Sequence, residues 1–407
     1  MKKKQLPLLI FRQTDGNHLT LPVLCHILEI SELGGLLDLQ TADSLDDMLR
    51  RIPADGPCII AYSFMTPHLP DVWEEIQIVR RTARKDLFLL AGGSHPTGDS
   101  EGTLSMGFDV VCAGEGERTL PQIVRDILDN SDAVRGAVYR TDKEADLDAS
   151  FPISRTISLM SPLEITRGCF WRCRFCQTAS HHPRHRSLES VKQYLDELQK
   201  RRYLFRINFI SPSGFEYGAE KPGRPEMEQI EALLRMAVEA GIRHVEYGIF
   251  PSELRPNTIR PELLDLIVRY CANRKVTIGA QSGSDTRLRN LKRGHTTEDI
   301  ERAASYAREA GFTPILDFIM GYPDETDDER YQALEFARHL NTRYRARSQI
   351  HFFIPLAGTP MENQTPSFFS DPFTGLLDQA YCDGIVTNWW KDGMALSRKV
   401  VAMLRKD

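Results

Sequence analysis

Three cysteines close a short run, Glu164-Ile-Thr-Arg-Gly-Cys169-Phe-Trp-Arg-Cys173-Arg-Phe-Cys176, that directly follows a strand-like segment and stands between two α/β-patterned stretches. With eight cysteines in 407 residues, chance would place this C-x3-C-x2-C spacing about 0.003 times per chain. Three thiolates on one loop can hold three corners of a cubane [4Fe–4S] cluster, which ordinarily takes four cysteines, and so leave one iron open to a ligand. Structural zinc would want a fourth close ligand, and His181, His182 and His185 are the candidates for it. Cys25, Cys58, Cys112, Cys271 and Cys382 stand singly among apolar residues. They read as buried, reduced thiols, which implies the cytoplasm.

Apolar residues make up 41% of the chain and charged residues 26%, the balance of a globular protein long enough for two or three domains. A formal charge of −5 gives no reason to expect nucleic acid as a partner. The start, Met1 to Arg12, places basic residues before apolar ones, but the apolar run is too short for an export signal and reads as a first buried strand. No membrane span is expected anywhere.

Residues 1–140 alternate apolar runs with amphipathic stretches, the pattern of a doubly wound, Rossmann-like α/β sheet. Leu6–Arg12, Cys58–Tyr62, Leu87–Ala91 and Asp109–Cys112 are the expected strands; Leu19–Leu33, Pro70–Ala83 and Arg118–Asp129 are the expected helices. Three strand-end loops carry small and polar residues where such sheets bind ligands: Ser63 to His68, Gly92 to Gly98, and Ala113 to Glu117. A charged stretch without periodicity, residues 141–158, is the expected linker. From 159 to 360 the alternation recurs about six times, which suggests a partial (β/α)6 barrel of TIM type. Its expected strands are Leu163–Thr166, Arg206–Ile210, His244–Phe250, Thr277–Gln281, Thr313–Met320 and Gln349–Ile354. Residues 361–407 form a carboxyl-terminal extension whose Phe368-Phe369 and Trp389-Trp390 pairs suit core packing.

The cysteine run and the polar strand ends behind it resemble the radical S-adenosylmethionine superfamily. The succession Gly92-Gly-Ser-His95, a strand, then Gly114-Glu-Gly-Glu117 resembles the cobalamin-binding domain that precedes many of its barrels. By that resemblance Cys169, Cys173 and Cys176 ligate the cluster, whose fourth iron takes the amine and carboxylate of S-adenosylmethionine. Phe175 lies against the adenine, and Gly321 belongs to the backbone segment that holds it. The usual Gly-Gly-Glu gives way to Ser211-Pro-Ser213-Gly, so Ser211 or Ser213 is the expected substitute for the amine contact. Glu253, Arg255, Gln281 and Ser282 resemble ribose and carboxylate contacts, and Arg293 can pair with a carboxylate bidentately.

Cobalamin would meet Ser63, Met65, Thr66, Gly92, Gly93, His95, Gly114, Glu115 and Gly116. No histidine has Asp two positions before it, so the D-x-H-x-x-G lower ligand of some cobalamin proteins is absent. The cobalt's lower face would instead meet Met65 or Thr66, with His68 or His95 the remaining possible ligands. Glu216 and Tyr217 are candidates for catalytic proton or hydrogen-bond partners. The resemblance implies a [4Fe–4S] cluster, S-adenosylmethionine and cobalamin as cofactors, and a low-potential electron donor such as flavodoxin or ferredoxin. It also implies methyl transfer to an unactivated carbon, with cyclisation, ring rearrangement or dehydrogenation as the alternative and a noncatalytic iron–sulfur redox protein as a second one. The substrate stays open among small molecules and peptide or protein side chains.

Overall fold

A computed structural model describes residues 6–82, 84–141, 143–157, 162–387 and 390–405; residues 1–5, Ala83, Asp142, 158–161, 388–389 and 406–407 of the segments named above lie outside them. The chain divides into two compact units. The first comprises Met1–Ser161 with the short segments Leu356–Glu362 and Met403–Asp407, and the second comprises Pro162–Pro355 with Asn363–Ala402.

The first unit is built on six parallel strands: β1 (Leu8–Arg12), β2 (Asp38–Ala42), β3 (Cys58–Ser63), β4 (Leu87–Gly92), β5 (Val110–Ala113) and β6 (Ala137–Arg140). Their order is β2-β1-β3-β4-β5-β6. The connection therefore changes direction between β1 and β3, the switch point at which doubly wound sheets open a crevice. Four central strands are apolar on both faces because helices cover both: Leu9, Phe11, Ile59 and Leu90 lie in one core, Ile10, Ile60, Leu89 and Val111 in the other. The expected set lacks β2 and β6. Both are edge strands with few buried residues, Leu39 and Ala42 in β2 and none in β6, so Asp-Leu-Gln-Thr-Ala and Ala-Val-Tyr-Arg carry too few apolar residues to stand out. The helix Leu45–Arg51 is missing from the expected set for a similar reason, burying Met48 alone.

In the second unit the first three expected strands appear as short pieces, β7 (Leu163–Glu164) and β8 (Thr166–Arg167), then β10 (Arg206–Ile207) and β11 (Phe209–Ile210), then β12 (His244–Val245), while β9 (Arg184–His185) pairs antiparallel with β8. The last three are long: β13 (Lys275–Gln281), β14 (Thr313–Met320) and β15 (Arg347–Phe352). Apart from the β8–β9 pair, pairing is parallel, β7 with β11, β10 with β12, and β13-β14-β15. A parallel bridge from Leu254 to Ile278 carries the sequence from the third strand to the fourth. Among the described residues no ladder joins β15 to β7. The tail packs as a core: Phe369 meets Phe352, Phe373 and Trp390 at ring centroids of 5.0, 5.2 and 5.6 Å. Cys25, Cys58, Cys112 and Cys271 are buried as expected, but Cys382 is exposed, because it ends the helix Asp371–Cys382 on the face away from buried Phe373, Leu377 and Ala380.

The segment expected as a linker is tied down within the first unit. The Glu29 carboxylate accepts from Ser154 Oγ at 2.6 Å, Arg155 N at 2.8 Å and Thr156 N at 2.9 Å. Burial alone would raise this carboxyl, but the donors hold it below its ordinary 4.5. A depressed folded-state value gives stability that is present above the unfolded value and lost as pH falls through the folded one. Glu29→Gln should lower the unfolding free energy at pH 7 by about 1–2 kcal/mol. In denaturant titrations that difference should shrink as pH falls below 4.5.

Candidate active site

The cysteine loop is a hairpin closed at its base. β8 pairs antiparallel with β9, Thr166 opposite His185 and Arg167 opposite Arg184. Cys169 N then donates to the His181 carbonyl at 3.0 Å. Gly168 sits at φ +83°, and a Cβ there would fall 2.1 Å from the His182 carbonyl oxygen, so only glycine lets the two arms approach. Farther out, Arg174 N donates to the Leu291 carbonyl at 3.2 Å. Cys173 is buried, while Cys169 and Cys176 are half-buried.

Backbone bonds link the neighbouring strand ends. Ser211 N donates to the Pro251 carbonyl at 3.0 Å, Gly214 N to Glu253 at 2.9 Å, and Leu254 N to Thr277 at 2.8 Å. These bonds place Ser213, Glu253, Arg255 and Gln281 at one end of the sheet, the carboxyl ends of its strands. Gly321 follows β14 there and its N–H donates to the Glu325 carboxylate at 2.5 Å. Tyr322 is fully buried, its ring centroid 6.0 Å from Phe175 of the cysteine loop.

Two guanidinium groups lie against Cys173. Arg293 Nη1 is 3.2 Å from its sulfur and Arg255 Nη1 is 3.9 Å away. Burial alone would push the Cys173 thiol up, but these two cations hold it below its ordinary value. Burial pushes the Cys169 thiol up to about 11. Burial and the adjacent Arg293 charge push Arg255 down to about 10. His295, which sequence reading passes over, is buried with Nε2 at 3.2 Å from the Ala280 carbonyl, and burial beside the two arginines takes it to about 2. Its imidazole is therefore neutral. Burial and nearby Asp317 push the Glu253 carboxyl up.

Several expected site residues have structural partners. Glu216 accepts from Trp171 Nε1 at 3.0 Å and from Gly223 N at 2.7 Å, and Tyr217 donates to the Arg186 carbonyl at 2.8 Å. Both hold the hairpin and its loop. Ser211 Oγ donates to the Ser213 carbonyl at 3.0 Å, and Ser282 Oγ accepts from Ser284 N at 3.2 Å. Arg293 has both terminal nitrogens engaged, the second on the Gly279 carbonyl at 2.9 Å. Trp171 carries Arg255 4.0 Å above its ring; the tertiary contact that makes it important leaves no mark in the sequence.

This strand end nevertheless keeps polar capacity for a ligand. Ser213 Oγ, Arg255 Nε, Gln281 Oε1, Arg293 Nε, His295 Nδ1 and Tyr322 Oη are buried with no hydrogen-bond partner. Orphaned buried groups cost stability and mark a site that a polar molecule completes. Their mixture of donors and acceptors fits the methionyl and ribosyl parts of S-adenosylmethionine. Among the described residues no three His, Cys, Asp or Glu side chains are grouped to hold a single metal ion.

In the first unit the loops that follow β1, β3, β4 and β5 are linked at the switch point. Asn17 Nδ2 donates to the Arg12 carbonyl at 2.8 Å and the Ser63 carbonyl at 3.1 Å, a contribution from the β1 loop that sequence reading missed. Phe64 N donates to the Gly92 carbonyl at 3.0 Å, and Gly114 N to Thr97 Oγ1 at 2.9 Å. Thr66 is fully buried, its Oγ1 3.0 Å from His95 Nδ1 and accepting from Ala357 N at 3.2 Å. His95 is buried as well, and that burial pushes it down to about 4. His68 Nδ1 accepts from Met65 N at 3.3 Å. Glu115 accepts from Ala145 N, and Gly116 opens the helix Gly116–Asp129. Met65 alone in this set presents a large exposed apolar side chain, at 42%. The surface therefore offers a flat apolar ligand Met65 rather than Thr66 or His95.

The class of protein follows from two domain matches. The radical SAM superfamily model matches residues 163–337, and the B12 binding domain model matches residues 14–124. The chain belongs to the radical S-adenosylmethionine proteins with an amino-terminal B12-binding domain, and the cofactors these domains imply are S-adenosylmethionine, a [4Fe–4S] cluster and cobalamin. Among its relatives, an uncharacterized protein of Methanopyrus kandleri is 24% identical over 303 residues, covering 60% of this chain and 56% of that one. An uncharacterized methyltransferase of Pyrococcus horikoshii is 23% identical over 344 residues, 78% of this chain and 71% of that one. The chain thus spans little more than half of the first relative's length.

Two solved structures share the fold. The radical S-adenosylmethionine methyltransferase TsrM from Kitasatospora setae, with cobalamin and a [4Fe–4S] cluster bound, gives a TM-score of 0.61 at 15% identity, covering 88% of this chain and 74% of that one. OxsB, a cobalamin-dependent S-adenosylmethionine radical enzyme with aqua-cobalamin bound, gives 0.63 at 16% identity, covering 96% and 63%. Among the described residues no helix is long and apolar enough to cross a membrane.

The hairpin base makes a direct prediction. Gly168→Ala should cost about 1–3 kcal/mol, from left-handed strain and the clash with the His182 carbonyl. It should also lower iron uptake on reconstitution, as denaturant midpoints and iron analysis would show.

Proposed function

We propose that this chain is a cobalamin-dependent radical S-adenosylmethionine methyltransferase acting on an unactivated carbon. The observation that carries the reading is the cysteine hairpin seated at a strand end rich in orphaned buried polar groups, in a chain that also carries a B12-binding domain. A relative described as an uncharacterized methyltransferase supports the methyl-transfer outcome.

When bound, the reduced cluster supplies the electron that splits S-adenosylmethionine into methionine and a 5′-deoxyadenosyl radical, and cobalamin supplies the methyl carrier. The residues of the chain bind and orient. Cys169, Cys173 and Cys176 take three iron corners. Phe175 and the Gly321-Tyr322 backbone would hold the adenine of S-adenosylmethionine, and Glu253 and Gln281 its ribose. Ser213 Oγ, Arg255 Nε and His295 Nδ1, buried and unpaired, take the methionyl end. Exposed Met65 would offer its side chain to a bound cobalamin, whereas buried His95 is engaged by Thr66. Burial of these groups keeps water from a reactive radical.

An auxiliary cluster of the kind methylthio transfer calls for has no cysteine ligands grouped for it among the described residues of the first unit. Cys25 and Cys112 lie in one of its cores and Cys58 in the other, on opposite faces of the sheet. Burial raises all three thiols, Cys58 and Cys112 to about 11.

Cys173→Ala should lose cluster iron and sulfide together with all formation of 5′-deoxyadenosine, while keeping its fold by circular dichroism. S-adenosylmethionine cleavage retained by that variant would overturn the ligand assignment.

A further inference from the structure

We propose that Arg293, backed by Arg255, raises the reduction potential of the cluster by donating charge-assisted N–H···S hydrogen bonds to the Cys173 thiolate. The inference rests on the reading of the three cysteines as cluster ligands. Arg293 Nη1 stands 3.2 Å from the sulfur and Arg255 Nη1 3.9 Å from it. Both guanidiniums are buried, at 7% and 4% exposure. Among the described residues neither makes a salt bridge with a carboxylate. Two unneutralised cations in a buried site are costly unless an anion faces them. Cys173 is the anionic group to which both guanidiniums donate, while Cys169 and Glu216 also bear on Arg255 through charge.

The pair is also aimed. Arg293 Nη2 is fixed by the Gly279 carbonyl at 2.9 Å, and Arg255 Nη2 by the Arg293 carbonyl. Arg255 lies 4.0 Å above the ring of Trp171, whose Nε1 is in turn held by Glu216. Trp171 belongs to the same loop as the thiolate, so the cations and the sulfur keep register with one another.

Reduction adds one electron to the cluster, delivered by a low-potential one-electron carrier or by dithionite, and no proton or bond need change. A fixed positive charge and hydrogen bonds to sulfur stabilise the more negative reduced state, which moves the potential upward. Arg293 is thus a positioning residue that acts through Cys173, and its effect is visible without turnover.

The test is an electron paramagnetic resonance redox titration of the reconstituted full chain, with iron and sulfide measured on each sample. Arg293→Gln should shift the reduction equilibrium at least tenfold toward the oxidised cluster, 59 mV for one electron, and Arg293→Lys should shift it less. An unchanged midpoint in R293Q at full iron content overturns the inference. Should R293Q fail to hold a cluster, Arg255→Gln gives the reading: a smaller downward shift supports the inference and no shift overturns it. A wild-type chain that takes up no cluster refutes the ligand assignment and this inference with it, whereas a cluster with an indifferent midpoint refutes this inference alone.

Discussion

Closing the cysteine loop at its base is the constraint on which the second unit's site depends. Three thiolates on a free loop would sample many separations, and ordering them around a cluster would cost conformational entropy for each residue fixed. Here the β8–β9 pair, the close approach at Gly168 and the bond from Cys169 N to His181 prepay part of that cost. The outer part of the loop is then held by Trp171 on Glu216 and by Arg174 N on Leu291. Glu216 acts through this scaffold, since its carboxylate is already occupied by Trp171 and Gly223.

The same end of the sheet is left incomplete in a way that invites a ligand. Structural groups such as Tyr217 and Ser211 have found partners, while Ser213, Gln281, His295 and Tyr322 each keep a buried polar atom without one. A stable core does not ordinarily leave so many orphans together. The first unit is organised differently. Its loops satisfy one another at the switch point through Asn17, Thr66 and His95, and what they turn outward is an apolar side chain, Met65. Such a surface suits a broad, flat cofactor whose hydrogen bonds lie at its margins.

Much of this was legible in the sequence because it depends on local patterns. The cysteine spacing and the glycines at strand ends stand out by themselves, and the central strands stand out because doubly buried parallel strands read as continuous apolar segments. Edge strands β2 and β6 bury few residues and lose that signal. Individual roles were harder to read. Arg293 and Arg255 look like carboxylate binders by their residue type, yet the fold carries them to Cys173, 120 and 82 positions away along the chain. Thr66 and Met65 are neighbours in sequence, but only tertiary packing decides that Thr66 is buried against His95 while Met65 faces out. Trp171 and His295 gain their importance from contacts that no local motif encodes.

The most direct test of the two-cofactor reading is to reconstitute the chain anaerobically with iron, sulfide and hydroxocobalamin, reduce it in the presence of S-adenosylmethionine, and measure 5′-deoxyadenosine and bound cobalamin in one sample. The account predicts both: deoxyadenosine formed, and cobalamin retained through gel filtration. Deoxyadenosine without bound cobalamin would contradict methyl transfer from cobalt, and the absence of both would contradict the radical mechanism itself.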